Sequence, residues 1–148
     1  MKAIISVFAL ALLTSCASVV LEPADFAWPI ETVLETDGNG FIQDNRYSFS
    51  VNVKPLFFAE VNDSSSFKSE SVRVIRGEKG YYYMIASGFK NIYLSYAENG
   101  QMVIHDIVFV SEFGVDLPAF NQRKPYIELL EGEETLLLLN SDGIKGKE

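Results

Sequence analysis

At 148 residues, with 20 acidic against 12 basic side chains and a formal net charge of −8, the chain is long enough to bury one substantial core. It is too acidic to hold nucleic acid or an anionic membrane surface by charge. A single cysteine excludes an intrachain disulfide, and a single histidine excludes a two-histidine metal site within one chain.

The chain opens on Lys2 and an uncharged apolar run over residues 3–13. A basic start, a short apolar stretch and small residues before a cut form the pattern of a secretory signal helix. A run of that length, at ~1.5 Å per residue, covers about half of a ~30 Å hydrocarbon core. Leu13-Thr14-Ser15-Cys16 then resembles the lipobox of bacterial lipoprotein precursors: an aliphatic residue, two small ones, then cysteine. The resemblance covers the first sixteen residues and implies nothing about the mature fold. It implies a diacylglyceryl thioether on Cys16, cleavage before it, and an acyl chain on the new amine. It thereby implies a bacterial cell-envelope location, on the periplasmic face of the outer or inner membrane or at the cell surface. Two or three chains, at ~0.8 kcal/mol per buried CH₂, make such anchoring effectively permanent. An uncleaved anchor is the alternative, because residues 3–21 carry no charge. Ser6, Thr14, Ser15, Cys16 and Ser18 thin its apolar content and weigh against it.

The expected layout is a signal peptide over residues 1–15, a lipidated tether over 16–25, one β domain over 26–144 and a charged tail over 145–148. Trp28 precedes Pro29, which favours an extended arm that places the indole against the core or a ligand. Residues 31–36 alternate weakly. Asp37-Gly38-Asn39-Gly40 has the composition of a tight hairpin turn. Tyr47, Phe49, Val51 and Val53 alternate with Ser48, Ser50 and Asn52, the pattern of a half-buried strand. Pro55 interrupts it, and Leu56-Phe57-Phe58 is expected to resume the strand past a bulge or corner. Residues 62–71 read as a polar loop.

Strands are expected at 71–76, 81–87, 91–96 and 101–111, with turns at 77–80, 88–90 and 97–100. These short connections make an antiparallel meander. Residues 103–110 are apolar at both parities apart from His105 and Asp106, which predicts a central strand covered on both faces. Residues 112–124 read as irregular. Residues 126–130 and 135–140 form a last hairpin, with Leu136 to Leu139 buried. The fold class is all-β: an antiparallel sandwich or small barrel of about eight strands around the four-stranded meander.

The chemistry-bearing patterns are sparse. From Asp37, the sixth and twelfth positions of a calcium loop would be Ile42 and Ser48, which match neither Gly nor Glu. His105 and Asp106 are strand neighbours, so they face opposite ways unless a bulge separates them. The chain has no G-x-S-x-G, and no glycine-rich loop opens a helix. No catalytic or metal-ligating residue is therefore assigned. Tyr81-Tyr82-Tyr83 is the most unusual local feature, and Tyr93 and Tyr96 on the next strand suggest an aromatic ladder. Trp28, Tyr82, Tyr93 and Tyr96 are the candidate ligand or partner contacts, and Cys16 is the lipidation site.

The leading expectation is a non-enzymatic, lipid-anchored accessory component of an envelope protein assembly. Its partners would be the membrane, through the lipid, and other envelope proteins. No cofactor is expected beyond the acyl chains. A β-barrel carrier of a small apolar ligand, as in lipocalins, is the second reading. The Gly-x-Trp motif near a lipocalin's start is absent, since Phe26-Ala27 precede Trp28. A hydrolase with paired carboxylates is third, and its spacing is not readable from sequence. The anchor has a direct test: Cys16→Ser abolishes incorporation of labelled fatty acid and leaves an unprocessed precursor. A mutant that still matures and stays membrane-bound overturns the lipoprotein reading.

Overall fold

The computed structural model describes residues 30–63, 65–68 and 70–140, with the backbone of 143–144. The expected signal peptide, the tether with Cys16, the arm with Trp28 and the charged tail lie outside the described residues. In chain order the elements are β1 (Thr32–Glu35), β2 (Phe41–Asp44), β3 (Phe49–Asn52), α1 (Lys54–Val61), β4 (Ser71–Arg76), β5 (Tyr82–Ala86) and β6 (Asn91–Glu98). Then come β7 (Gln101–Phe109), β8 (Pro118–Arg123), β9 (Tyr126–Glu131), β10 (Glu134–Asn140) and β11 (Gly143–Ile144).

The meander forms as expected. β4, β5, β6 and β7 are antiparallel neighbours in chain order, and β1 adds to β4, giving the sheet order β1-β4-β5-β6-β7. Its turns rest on residues that tolerate positive φ. Asn99 and Gly100 are both left-handed, at 50° and 76°, as a two-residue hairpin with matching twist requires. A second sheet runs β11-β10-β9-β8, and β2 pairs only with β3.

The three sheets are layers. On one face of the five-stranded sheet, Tyr82 meets Tyr47 and Phe49 of the β2–β3 hairpin edge to face, with centroids at 5.7 and 5.3 Å. Farther along that face Phe57 of α1 packs on Phe89 at 4.8 Å. On the other face Tyr83 meets Phe120 of β8. The second sheet brings Phe120, Ile127, Leu129 and Leu139 into the same core. The fold is an all-β, sandwich-like stack whose sheets do not close into a barrel.

Several expectations are corrected. The strand expected to resume at Leu56 is α1 instead. Pro55 occupies the first turn of that helix, where its missing N–H has no intrahelical partner to lose. Asn52 Oδ1 takes the Lys54 amide at 3.0 Å just before it, and Asn62 closes it in the left-handed conformation. The strand expected at 47–53 is shorter: Tyr47 sits in the turn, where Asp44 Oδ1 accepts the Arg46 and Tyr47 amides. The Asp37–Gly40 turn forms, but β1 pairs with β4 and β2 with β3, so it is a corner between sheets.

β7 is an edge strand rather than a central one, and Val108 is its only fully buried residue. Its apolar residues at both parities have a different cause. Leu94 faces Asp106 and Ser95 faces Ile104, so His105 is an extra residue and the phase inverts there. Residues 118–123, expected to be irregular, form β8. Pro118 opens that edge strand, a position where a missing N–H is tolerated. Of the four leucines in β10, only Leu139 is fully buried, and the register shifts between Thr135 and Leu137.

The loop after β7 is laced to the β5–β6 turn. Gly88 N donates to Val115 O at 2.8 Å, and Val115 N donates to Phe89 O at 3.0 Å. Gly114 lies at φ +81°, and a Cβ there would stand 2.4 Å from Gly88 O. Gly114→Ala combines backbone strain with a clash against main chain. It is expected to lower unfolding stability by about 2 kcal/mol, or roughly 5 °C in Tm. Gly132→Asn, at φ +61° with nothing within 4 Å, should stay within about 0.5 kcal/mol by the same thermal melts.

Candidate functional site

The tyrosines converge on the end of the sandwich where β4 turns into β5. Tyr81, Tyr82 and Tyr83 spread across that end because consecutive strand positions face opposite sides. Tyr82 is buried at 6% exposure between Tyr47 and Phe49. The Arg76 guanidinium lies 5.6 Å from its ring centre and 5.3 Å from that of Tyr47, a cation held over two rings. Burial raises the Tyr82 phenol above the usual tyrosine range, against the opposing pull of Arg76.

Tyr81 and Tyr96 stand edge to face at 6.3 Å. The His105 ring lies on Tyr81 at 4.8 Å and against Tyr96 at 6.2 Å. The expected aromatic ladder is therefore Tyr81–Tyr96–His105, and the histidine reaches it from the bulge in β7. His105 and Asp106 do not act as a pair: Asp106 Oδ1 accepts the Ile107 amide at 2.8 Å.

Two hollows open at this end and share Lys79 and Tyr81. The outer is a groove of about 540 Å³ lined by Arg76, Tyr82, Tyr96 and His105 as well. The inner is a crevice of about 260 Å³ between the two sheets, lined by Tyr83, Tyr126 and Gln122 among others. Gln122 Oε1 is buried there without a hydrogen-bond partner. Rings, two cations and an unsatisfied acceptor make this end suited to binding a polar or acidic segment.

Tyr93 belongs elsewhere. It is buried on the α1 side, and its hydroxyl donates to Glu60 Oε1 at 2.7 Å. Burial, then that bond to a carboxylate, raises its phenol well above the usual range. Glu60 also accepts the Lys90 amide at 2.6 Å and Asn91 Nδ2 at 2.8 Å, so it clamps α1 onto β6. Glu31 and Glu128 are engaged in the same way, whereas Asp44 Oδ2 is buried without a hydrogen-bond partner. Glu31 accepts Arg73 and the Phe120 amide, both at 2.7 Å. Glu128 accepts Thr135 Oγ1, Asn121 Nδ2 and Arg123 Nη1, and the Thr135 bond leads in holding its carboxyl below the usual range.

Of the four contacts expected from sequence, Tyr82 and Tyr96 line the groove, Tyr93 is structural, and Trp28 lies outside the described residues. Sequence reasoning missed Arg76, Tyr47 and Glu60. The alternation of β4 offered a signal for Arg76, which ends that strand beside the first tyrosine. Nothing local marks the other two. Comparison with protein-family models, curated proteins and solved structures finds no match to this chain.

Two of the three groove tyrosines should separate by denaturation. Tyr82→Ala opens a cavity between packed rings and is expected to cost about 3 kcal/mol. Tyr96→Ala, at the half-buried rim, should cost about 1 kcal/mol or less. Urea unfolding of the two variants measures both.

Proposed function

We propose that this chain is a lipid-anchored, non-enzymatic binding module of the bacterial cell envelope. In this reading Cys16 carries the acyl chains, and the β domain is an accessory component of an envelope protein assembly. The observation that supports it most is the groove that gathers Arg76, Tyr81, Tyr82, Tyr96 and His105 at one end of an otherwise acidic domain. A guanidinium backed by two rings is pre-organised for a carboxylate, and the exposed faces of Tyr96 and His105 offer stacking surface beside it. The fitting ligand is a segment of a second envelope protein with an acidic residue next to an aromatic or aliphatic one.

The carrier reading fares less well. It asks for an enclosed apolar interior. The hollow between these sheets is a crevice of about 260 Å³ with a bare amide oxygen in its wall. An apolar guest there would leave that oxygen unsatisfied.

A photo-crosslinking side chain placed at Tyr96 tests the proposal in intact cells. The same reactive group at exposed Glu133, on the far turn of the second sheet, is the control. A discrete envelope protein captured from position 96, absent from 133 and diminished by Arg76→Ala, is the expected result. Equal capture at both positions, or fatty acid bound non-covalently to protein truncated after Cys16 in place of a partner, counts against it.

A further inference from the structure

β7 is nine residues long, and among the described residues no strand pairs with its outer edge. Long open edges are commonly blunted by lysine, proline or a bulge. Here the edge carries neither lysine nor proline, and Ile104, Ile107 and Phe109 are exposed at 41%, 54% and 56%. The bulge is present, but its geometry does more than interrupt the ladder.

The faces follow from the register. Tyr93 and Asn91 both bond Glu60, so they point to the α1 side, as do Ser95 and Ala97 by alternation. Their partners Ile107, Phe109, Ile104 and Met102 point to that side too. Val103, Asp106 and Val108 pair with Tyr96, Leu94 and Ile92 and point the other way, where the His105 ring also lies on Tyr96. From residue 102 to 109 the faces therefore read the same from either end, about a point between His105 and Asp106. A strand without the extra residue has such symmetry only about a residue, never about a point between two.

The backbone shares it. Val110 N donates to Lys90 O, which directs residues 110, 108 and 106 at β6 and leaves the N–H and C=O groups of Ile107 and Phe109 facing outward, the Ile107 N–H capped in the single chain by Asp106 Oδ1, which a pairing strand displaces. Beyond the bulge, Glu98 and Gln101 close the Asn99–Gly100 turn, which leaves Met102 and Ile104 outward as well.

We propose that β7 is a homodimer interface, in which two copies pair antiparallel through their outer edges about a two-fold axis between His105 and Asp106. That register sets Ile104 opposite Ile107 of the second copy, and Met102 opposite Phe109. These are the outward-bonding positions. It sets Val103 opposite Val108 and His105 opposite Asp106. Every apolar residue meets an apolar one, each carboxylate meets an imidazole, and the two Asp106 carboxylates are not opposed. A two-fold contact is self-complementary by construction. Asp106 is the only acidic residue among residues 102–109, so a chain of net charge −8 would join where its self-repulsion is least.

Cysteine pairing in full-length, membrane-bound chains tests the register. Two differently tagged chains are co-expressed, one carrying Ile104→Cys and the other Ile107→Cys, and mildly oxidised. Opposed antiparallel residues lie about 5.5 Å apart at Cα when hydrogen-bonded, within disulfide reach. The mixed dimer should form for this pair and for Met102→Cys with Phe109→Cys. It should be absent for Ile104→Cys with Phe109→Cys, for either Ile104→Cys or Ile107→Cys alone, and for the parent chain. Ile107→Lys, on an exposed edge position, should cut co-purification of the two tagged chains by at least about tenfold, because each dimer contains the change twice. The proposal is overturned by the absence of mixed dimers, by equal linkage in the shifted register, or by an unaffected Ile107→Lys. A chain that captures a different protein along this edge and never itself also overturns it.

Discussion

All five residues of β5 are buried, and a strand with no solvent face requires a layer on each side of its sheet. The rest of the architecture answers that requirement. Tyr82 is covered by the β2–β3 hairpin and Tyr83 by the second sheet. The first of these covers could not stand alone, since an isolated hairpin is marginal in water. The covers are held by carboxylates as well as by apolar contact. Glu31 joins Arg73 of β4 to the Phe120 amide of β8, and Glu60 joins α1 to the start of β6. Each carboxylate is partly buried and takes several hydrogen bonds at once, so each ties one layer to the next.

The elements legible in the sequence were those whose cause is local. β4 to β7 are fixed by alternation and by turns such as Asn99-Gly100, where both residues must take positive φ. α1 was not legible, because Pro55 ends a strand and opens a helix by the same missing N–H. β8 was hidden by Pro118, which reads as a loop until the strand is known to lie at an edge. The misreading of β7 has one cause: a single extra residue makes both parities look apolar, and that pattern is indistinguishable in sequence from a strand buried on both faces.

The candidate groove was half legible for the same reason. Tyr82 and Tyr96 stood out by type and spacing. Their neighbours Arg76, Tyr47 and His105 come from three other segments, and only strand pairing and hairpin docking bring them together. Tyr93 had identical credentials and was claimed by Glu60, thirty-three residues earlier. A phenol in a β-sheet is structural or available according to what the opposite layer offers it, and that layer is a matter of tertiary folding.

The extra residue at His105 links the groove to the edge. It sends the imidazole onto Tyr81 and Tyr96, on the face opposite to Ile104 and Ile107. Without it, residues 104 and 107 would fall on different faces, the outward backbone groups would lose their symmetry about residues 105 and 106, and the histidine would not sit where it closes the aromatic ladder. One inserted position thus sets the third ring of the candidate groove on one face and a self-complementary apolar row on the other. Groove and edge therefore meet in one strand, and the geometry of both depends on the residue inserted at position 105.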